Sequence, residues 1–233
     1  MQKRIGRWGC FPVAALLLGG WILVNRRRKY PPLPPAVEAP RKTVNLAGIQ
    51  TSYYIAPQDT GRPLLLIHSI NAAPSAYEVK PLFEHYQGER PVYALEFPGF
   101  GFSERSERRY SPQLFTETII AFLRDVVQQP ADVIALSLGS EFAAMAALDA
   151  PELFNSLTVI SPTGFNQIDV AASIPGEFIH SILTLPILNQ GLFDLITRRK
   201  TIAYYLGRNF VGEPPEAFID YAYATAHQLN ARH

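Results

Sequence analysis

The segment Asp132-Val-Ile-Ala-Leu-Ser137-Leu-Gly-Ser-Glu-Phe-Ala-Ala144 carries the clearest chemistry in this chain. An apolar run containing Val133 and Ile134 reads as a buried strand that enters Ser137, and a helical stretch leaves from Gly139. A serine on so sharp a strand-to-helix turn is held in a strained backbone conformation. Its hydroxyl is lifted clear of the sheet, which is how a nucleophile is presented. Small residues two before and two after it, here Ala135 and Gly139, let strand and helix approach closely. Serine–glycine patterns are common, and a surface turn would produce the same five letters. The strand–turn–helix context separates the two. Ser140 is the neighbouring alternative, but it falls inside the helix and has no sharp turn of its own.

Two further strands end in loops with chemical character. Leu64-Leu-Leu-Ile-His68-Ser69-Ile70-Asn71 places a polar loop directly after an apolar run, and Glu96-Phe-Pro-Gly-Phe-Gly-Phe-Ser103 supplies a tight, glycine-bearing turn. Other classes of chemistry are poorly supported. The net charge of +1 leaves no basic excess for nucleic acid, which is therefore not expected as a partner. The single cysteine, Cys10, excludes an internal disulfide. The five histidines, His68, His85, His180, His227 and His233, are scattered without HExxH or CxxC spacing, so neither a metal nor another cofactor is expected.

In their order and separations, His68-Ser-Ile-Asn, Glu96-x-Pro-Gly-x-Gly-x-Ser103 and Ala135-Leu-Ser137-Leu-Gly139 resemble the α/β-hydrolase superfamily. The resemblance covers residues 43–161, and the helical stretch beyond is similar to the inserted cap of that superfamily. It implies that Ser137 is the nucleophile and that the backbone N–H groups of Ile70 and Leu138 form the oxyanion hole. Such donors typically contribute about 2.7–4 kcal/mol each to the transition state. Haloalkane dehalogenases and epoxide hydrolases of this superfamily use aspartate at the turn. Serine there implies acyl transfer by an esterase, lipase, thioesterase or perhydrolase, with a small-molecule acyl or lipid-like substrate.

The same resemblance places His68 in the oxyanion loop rather than in the role of base. Two positions depart from the family pattern: Ser69 stands where glycine is usual, and Glu96 where aspartate is usual. The acid and the histidine of such enzymes follow the serine in chain order. Asp169, His227 and His233 lie late enough, but they read as loop or cap residues placed by chance. The chain stops at His233 before the further strands of the family, and truncation is the economical reading. A non-catalytic binding module that keeps the turn without a competent triad is the alternative.

The elements that position these residues follow from patterning. Residues 43–47 and 49–56 read as a strand pair around Gly48, and apolar runs at 64–67, 92–95, 133–136 and 157–160 read as strands buried on both faces. Helical stretches at 76–86, 112–127 and 140–148 alternate with them. With 233 residues the chain has room for one sizeable core. The expected fold class is α/β, a doubly wound, mostly parallel sheet of α/β-hydrolase type without its C-terminal strands, with a helical cap and an N-terminal transmembrane helix. The uncharged run 8–24 is flanked by Lys3, Arg4 and Arg7 and by Arg26, Arg27, Arg28 and Lys29. Against the roughly 20 residues that a membrane span needs, it is just long enough, and a cleaved signal peptide lacks its A-x-A site. The expectations are therefore an anchor with basic flanks at 1–29, a proline-rich spacer at 30–40, a core at 41–161 and an incomplete cap at 162–233. The membrane would be a partner, the location a single-pass anchor with the catalytic domain cytoplasmic.

Overall fold

Tight turns and two-faced burial decide the sheet. The computed structural model describes residues 30–164 and 186–231. Strands β1 (Arg41–Leu46) and β2 (Ile49–Ala56) form a hairpin whose two turn residues, Ala47 and Gly48, both have positive φ. That backbone matches the right-handed strand twist and forces antiparallel pairing. Next come β3 (Leu64–Ile67), a 3-10 turn (Ala76–Val79) running into helix α1 (Lys80–Tyr86), and β4 (Val92–Leu95). Helix α2 (Pro112–Phe122) starts from Ser111, whose Oγ accepts from the Leu114 N–H at 3.3 Å. It ends in a wide turn over Leu123–Val127, closed by Gln128 at φ +60°. Strand β5 (Ala131–Leu136), helix α3 (Gly139–Asp149) and strand β6 (Phe154–Ile160) follow, then helices α4 (Pro186–Ile196), α5 (Arg199–Gly207) and α6 (Glu216–Ala226).

The sheet order is β1-β2-β4-β3-β5-β6. β3 pairs in parallel with β4 and β5, and β5 with β6, whereas β2 is antiparallel to both β1 and β4. The sheet is mixed, because the hairpin adds its strands beside a parallel set that needs helical crossovers. Strand β3 is buried throughout. Its alternation sends Leu65 and Ile67 into a core with Phe115, Ile119 and Phe122 of α2 and Phe142 and Ala143 of α3. Leu64 and Leu66 face the opposite core, with Val79 and Phe83 around α1 and Tyr221 of α6. That double burial is why the run is apolar at every position.

Two expectations are corrected. Among the described residues no helix is long and apolar enough to cross a membrane. The longest have 11 residues, about half of what a span requires. The expected transmembrane helix, the single-pass membrane location with its cytoplasmic orientation, and the membrane as partner fall on this finding, and the run 8–24 lies outside the described residues. The stretch 30–40 packs against the domain. Ala36 and Val37 are fully buried in the second core, the Ala36 N–H donates to the Tyr54 Oη at 2.9 Å, and Gln228 donates to the Pro31 carbonyl at 2.8 Å. Apolar side chains between the prolines find the sheet. Finally, β6 is half exposed rather than buried, with Val159 40% exposed, because it pairs on one side only among the described residues.

Candidate active site

Strand β5 ends at Leu136 and α3 begins at Gly139, which leaves Ser137 and Leu138 to turn the chain. Ser137 takes φ +53°, a left-handed conformation that non-glycine residues adopt at a cost of about 1–3 kcal/mol. The turn is tied down from both sides. The Ser137 N–H donates to the Ile160 carbonyl at the end of β6 at 2.9 Å, and its own carbonyl accepts from the Ser140 N–H at 3.0 Å. Gly139 packs under the loop after β3, so closely that a Cβ there would lie 2.3 Å from the His68 carbonyl oxygen. Only glycine fits, which gives a physical reason for the spacing seen in the sequence. Ser140 is buried and its Oγ donates to the Ala135 carbonyl at 2.9 Å. It braces the turn, whereas the Ser137 hydroxyl has no hydrogen-bond partner among the described residues.

His68 is fully buried with both ring nitrogens engaged. Nε2 accepts from the Phe97 N–H at 3.1 Å, so the proton sits on Nδ1 and is donated to the Ser69 carbonyl at 2.6 Å. Burial lowers its pKa to about 4, against the opposing pull of the Ser69 carbonyl, so the ring is neutral. A neutral, doubly bonded imidazole ties the loop after β3 to the turn after β4 and has no lone pair left for a proton from Ser137. His227, at the C-terminal end of α6, is occupied by Tyr223: Nδ1 lies 2.8 Å from its carbonyl and the rings stack at 4.0 Å. His85 packs on Tyr86. Asp169, His180 and His233 lie outside the described residues.

The loop after β3 carries Ile70. The N–H groups of Ile70 and Leu138 have no protein acceptor among the described residues. On either side of Ile70, Ser69 and Asn71 are bound to Glu78 in the 3-10 turn. The Ser69 N–H donates to Oε2 at 2.8 Å, the Ser69 hydroxyl to Oε1 at 2.9 Å, and Asn71 Nδ2 to Oε1 at 2.9 Å. Sequence reading did not single out Glu78. The available signal was Ser69 itself, a hydroxyl where glycine is usual and therefore a donor in need of an acceptor.

The turn after β4 is built around Glu96. This carboxylate is fully buried and Oε2 accepts from the Phe102 N–H at 2.8 Å. A Cβ on Gly101, at φ +52°, would overlap it, so the glycine is required there. Burial raises the Glu96 pKa to about 7, with the Phe102 N–H pulling the other way. Beyond Ile70, a cavity of about 340 Å³ separates Asn71 and Glu78 from Ile202, Tyr205, Arg208 and Phe218 of the helical segment.

Over residues 62–195 the chain matches the family profile described as alpha/beta hydrolase fold. It is 28% identical over 115 residues to the uncharacterized hydrolase YugF of Bacillus subtilis, a match covering 48% of this chain and 41% of that one. It is 36% identical over 74 residues to the esterase Rv0045c of Mycobacterium tuberculosis, covering 31% of this chain and 25% of the relative. The chain thus spans less than half the length of these curated relatives. The crystal structure of CarC, a serine hydrolase involved in carbazole degradation, superposes with a TM-score of 0.62 at 18% identity, over 83% of this chain and 66% of that one. At that identity the likeness is one of fold.

Proposed function

The chain belongs to the α/β-hydrolase family, and on that premise we propose that Ser137 is the nucleophile of a serine hydrolase acting on small-molecule carboxylic esters or related acyl compounds. The observation that carries this reading is the backbone at Ser137, held at φ +53° between β5 and α3 with Gly139 seated under the His68 carbonyl. Strain of this kind at a half-exposed serine persists only where the surroundings over-determine it, and such sites concentrate where chemistry is done.

In the proposed reaction the Ser137 Oγ attacks the ester carbonyl carbon. The hydroxyl proton passes to a general base, and the carbonyl electron pair moves onto oxygen. The N–H groups of Ile70 and Leu138 face that oxyanion, and donors aimed at developing charge act only in the transition state. Collapse breaks the bond to the leaving alkoxide, which takes up the proton and departs. Water then repeats the sequence on the acyl-enzyme. In this family the acid and the histidine come later in the chain than the nucleophile, which agrees with His68 being spent on the loop. Tyr205, Leu206 and Phe218 around the neighbouring cavity suit an apolar acyl group.

A second reading is a binding module that keeps the turn without catalysis. It is favoured by one observation, the absence of a partner for the Ser137 hydroxyl among the described residues. Turnover of p-nitrophenyl butyrate by the full chain discriminates the two. Ser137→Ala should reduce it to background, and Ser140→Ala should retain most of it. Full activity in Ser137→Ala would place the nucleophile elsewhere, and ester binding without wild-type turnover would favour the binding module.

A further inference from the structure

We propose that Glu78 is a positioning residue for the oxyanion hole, aiming the Ile70 amide by gripping the residues on both sides of it. The inference rests on the reading of Ser137 as nucleophile and of Ile70 as an oxyanion donor.

Three donors from Ser69 and Asn71 converge on the one carboxylate, which takes the Ser69 amide on Oε2 and the Ser69 hydroxyl and Asn71 amide on Oε1. Asn71 Nδ2 also donates to the Ser69 Oγ at 2.7 Å, and Asn71 Oδ1 accepts from the Ala73 N–H at 2.7 Å. Ile70 is therefore the one residue of this tripeptide that Glu78 does not bind, and it is bracketed by two that Glu78 does. Its side chain packs against the first core. With the side chain seated and both neighbours tethered, the orientation of the peptide carrying the Ile70 N–H is set by the grip on Ser69 and Asn71.

A carboxyl group suits this task because both of its oxygens can accept, whereas an amide must turn one arm into a donor. Burial pushes the Glu78 carboxyl up, and the Ser69 hydroxyl, the Ser69 N–H and Asn71 oppose that rise. The same group explains the departure from the family pattern at position 69. A glycine there would offer only its N–H; Ser69 adds a hydroxyl that doubles the contact with Glu78. The carboxylate is delivered by a 3-10 turn whose start is capped by Ser75, so it comes from regular structure rather than from the loop that it holds.

Because donors at the oxyanion act in the transition state and not on the bound ester, misaiming one lowers kcat and leaves KM in place. The test is carried out on the full chain, with kcat expressed per site titrated by a fluorophosphonate. Glu78→Gln is expected to lower kcat per titrated site about tenfold to a hundredfold, short of the 10²–10³ reported for outright removal of a donor, with KM unchanged within about twofold. Affinity for an alkylboronic acid, which mimics the tetrahedral state, should fall in parallel. A merely structural Glu78 would instead lower the number of titratable sites and leave kcat per site intact. Should Glu78→Gln fail to fold, Asn71→Ala removes one of the three donors at an exposed position and should lower kcat per site about threefold or more at constant KM. Wild-type kcat per site in a folded Glu78→Gln, or in Asn71→Ala where that variant alone folds, overturns the proposal. Loss confined to KM does the same. Turnover that survives Ser137→Ala, or a wild type that no fluorophosphonate labels, overturns instead the reading on which the proposal rests.

Discussion

The two edges of the central sheet handle a carboxylate in opposite ways. At the N-terminal edge of β5, Asp132 accepts from Arg90, from Asn155 at 2.5 Å and from Ser156 at 2.7 Å. Burial alone would raise its pKa, but the Arg90, Ser156 and Asn155 bonds outweigh it and bring the value down to about 2. At the C-terminal edge, where β4 ends, Glu96 is fully buried and its pKa is raised to about 7. Around it the backbone is strained at Ser137 and crowded at Gly139 and Gly101. At the first edge the carboxylate is met by a cation and two neutral donors. The other holds a serine hydroxyl and two amides with no partner among the described residues, and a carboxyl shifted toward neutrality. Satisfied polar groups stabilise a fold, whereas strained and unsatisfied ones persist where a site needs them.

The contrast can be broken most severely at Gly139. A methyl group there must displace the His68 backbone, which cannot yield as a flexible side chain would. Gly139→Ala should therefore lower unfolding free energy by about 3 kcal/mol or more in urea titration, and reduce labelling of Ser137 with it. An unchanged urea midpoint would mean that the close approach of α3 to the β3 loop is not required.

At the opposite edge, Asp132→Asn should cost about 2 kcal/mol, since it weakens charge-assisted bonds at a mostly buried carboxylate. Its pH dependence has a definite sign. The folded pKa is depressed, so this contribution is fully present above the ordinary carboxylate range and fades as pH falls from about 4 toward 2. The wild type and Asp132→Asn should thus converge only as pH falls to about 2 in thermal melts. Activity per folded molecule should be untouched, because this edge faces away from Ser137.

The smallest effect, near pH 5, belongs to Glu96→Gln, which keeps an acceptor for the Phe102 N–H. Here the folded pKa is raised, so the stabilisation is present below about 4.5 and is lost as pH rises through about 7. The variant should match the wild type near pH 5 and gain on it progressively toward pH 8. A difference between the two that is flat across that range would show that Glu96 is not held protonated.

The fold was largely legible because its strongest determinants are local. Leu64–Ile67 is apolar at every position because both faces are covered, and Gly48 marks the hairpin turn because φ +83° suits glycine. Ser137 and Gly139 were legible for the same reason: a strained turn and a close approach each demand a residue type. What escaped was set by tertiary contact. Ala36 and Val37 look like spacer residues until Tyr54 and Leu64 are placed beside them. The exposure of β6 depends on a neighbour and not on its own letters. Glu78, on a short helical turn, is indistinguishable in sequence from a solvated charge. Its role appears only when Ser69 and Asn71 fold back onto it. Hydropathy at 8–24 suggested a membrane span, a feature that no helix among the described residues provides.

The reading of Ser137 as nucleophile is tested most directly by treating the full chain with a fluorophosphonate and mapping the adduct by peptide mass spectrometry. One phosphonyl group on Ser137, absent in Ser137→Ala and present in Ser140→Ala, is the expected result. Labelling at another residue, or equal labelling of the wild type and Ser137→Ala, would contradict it.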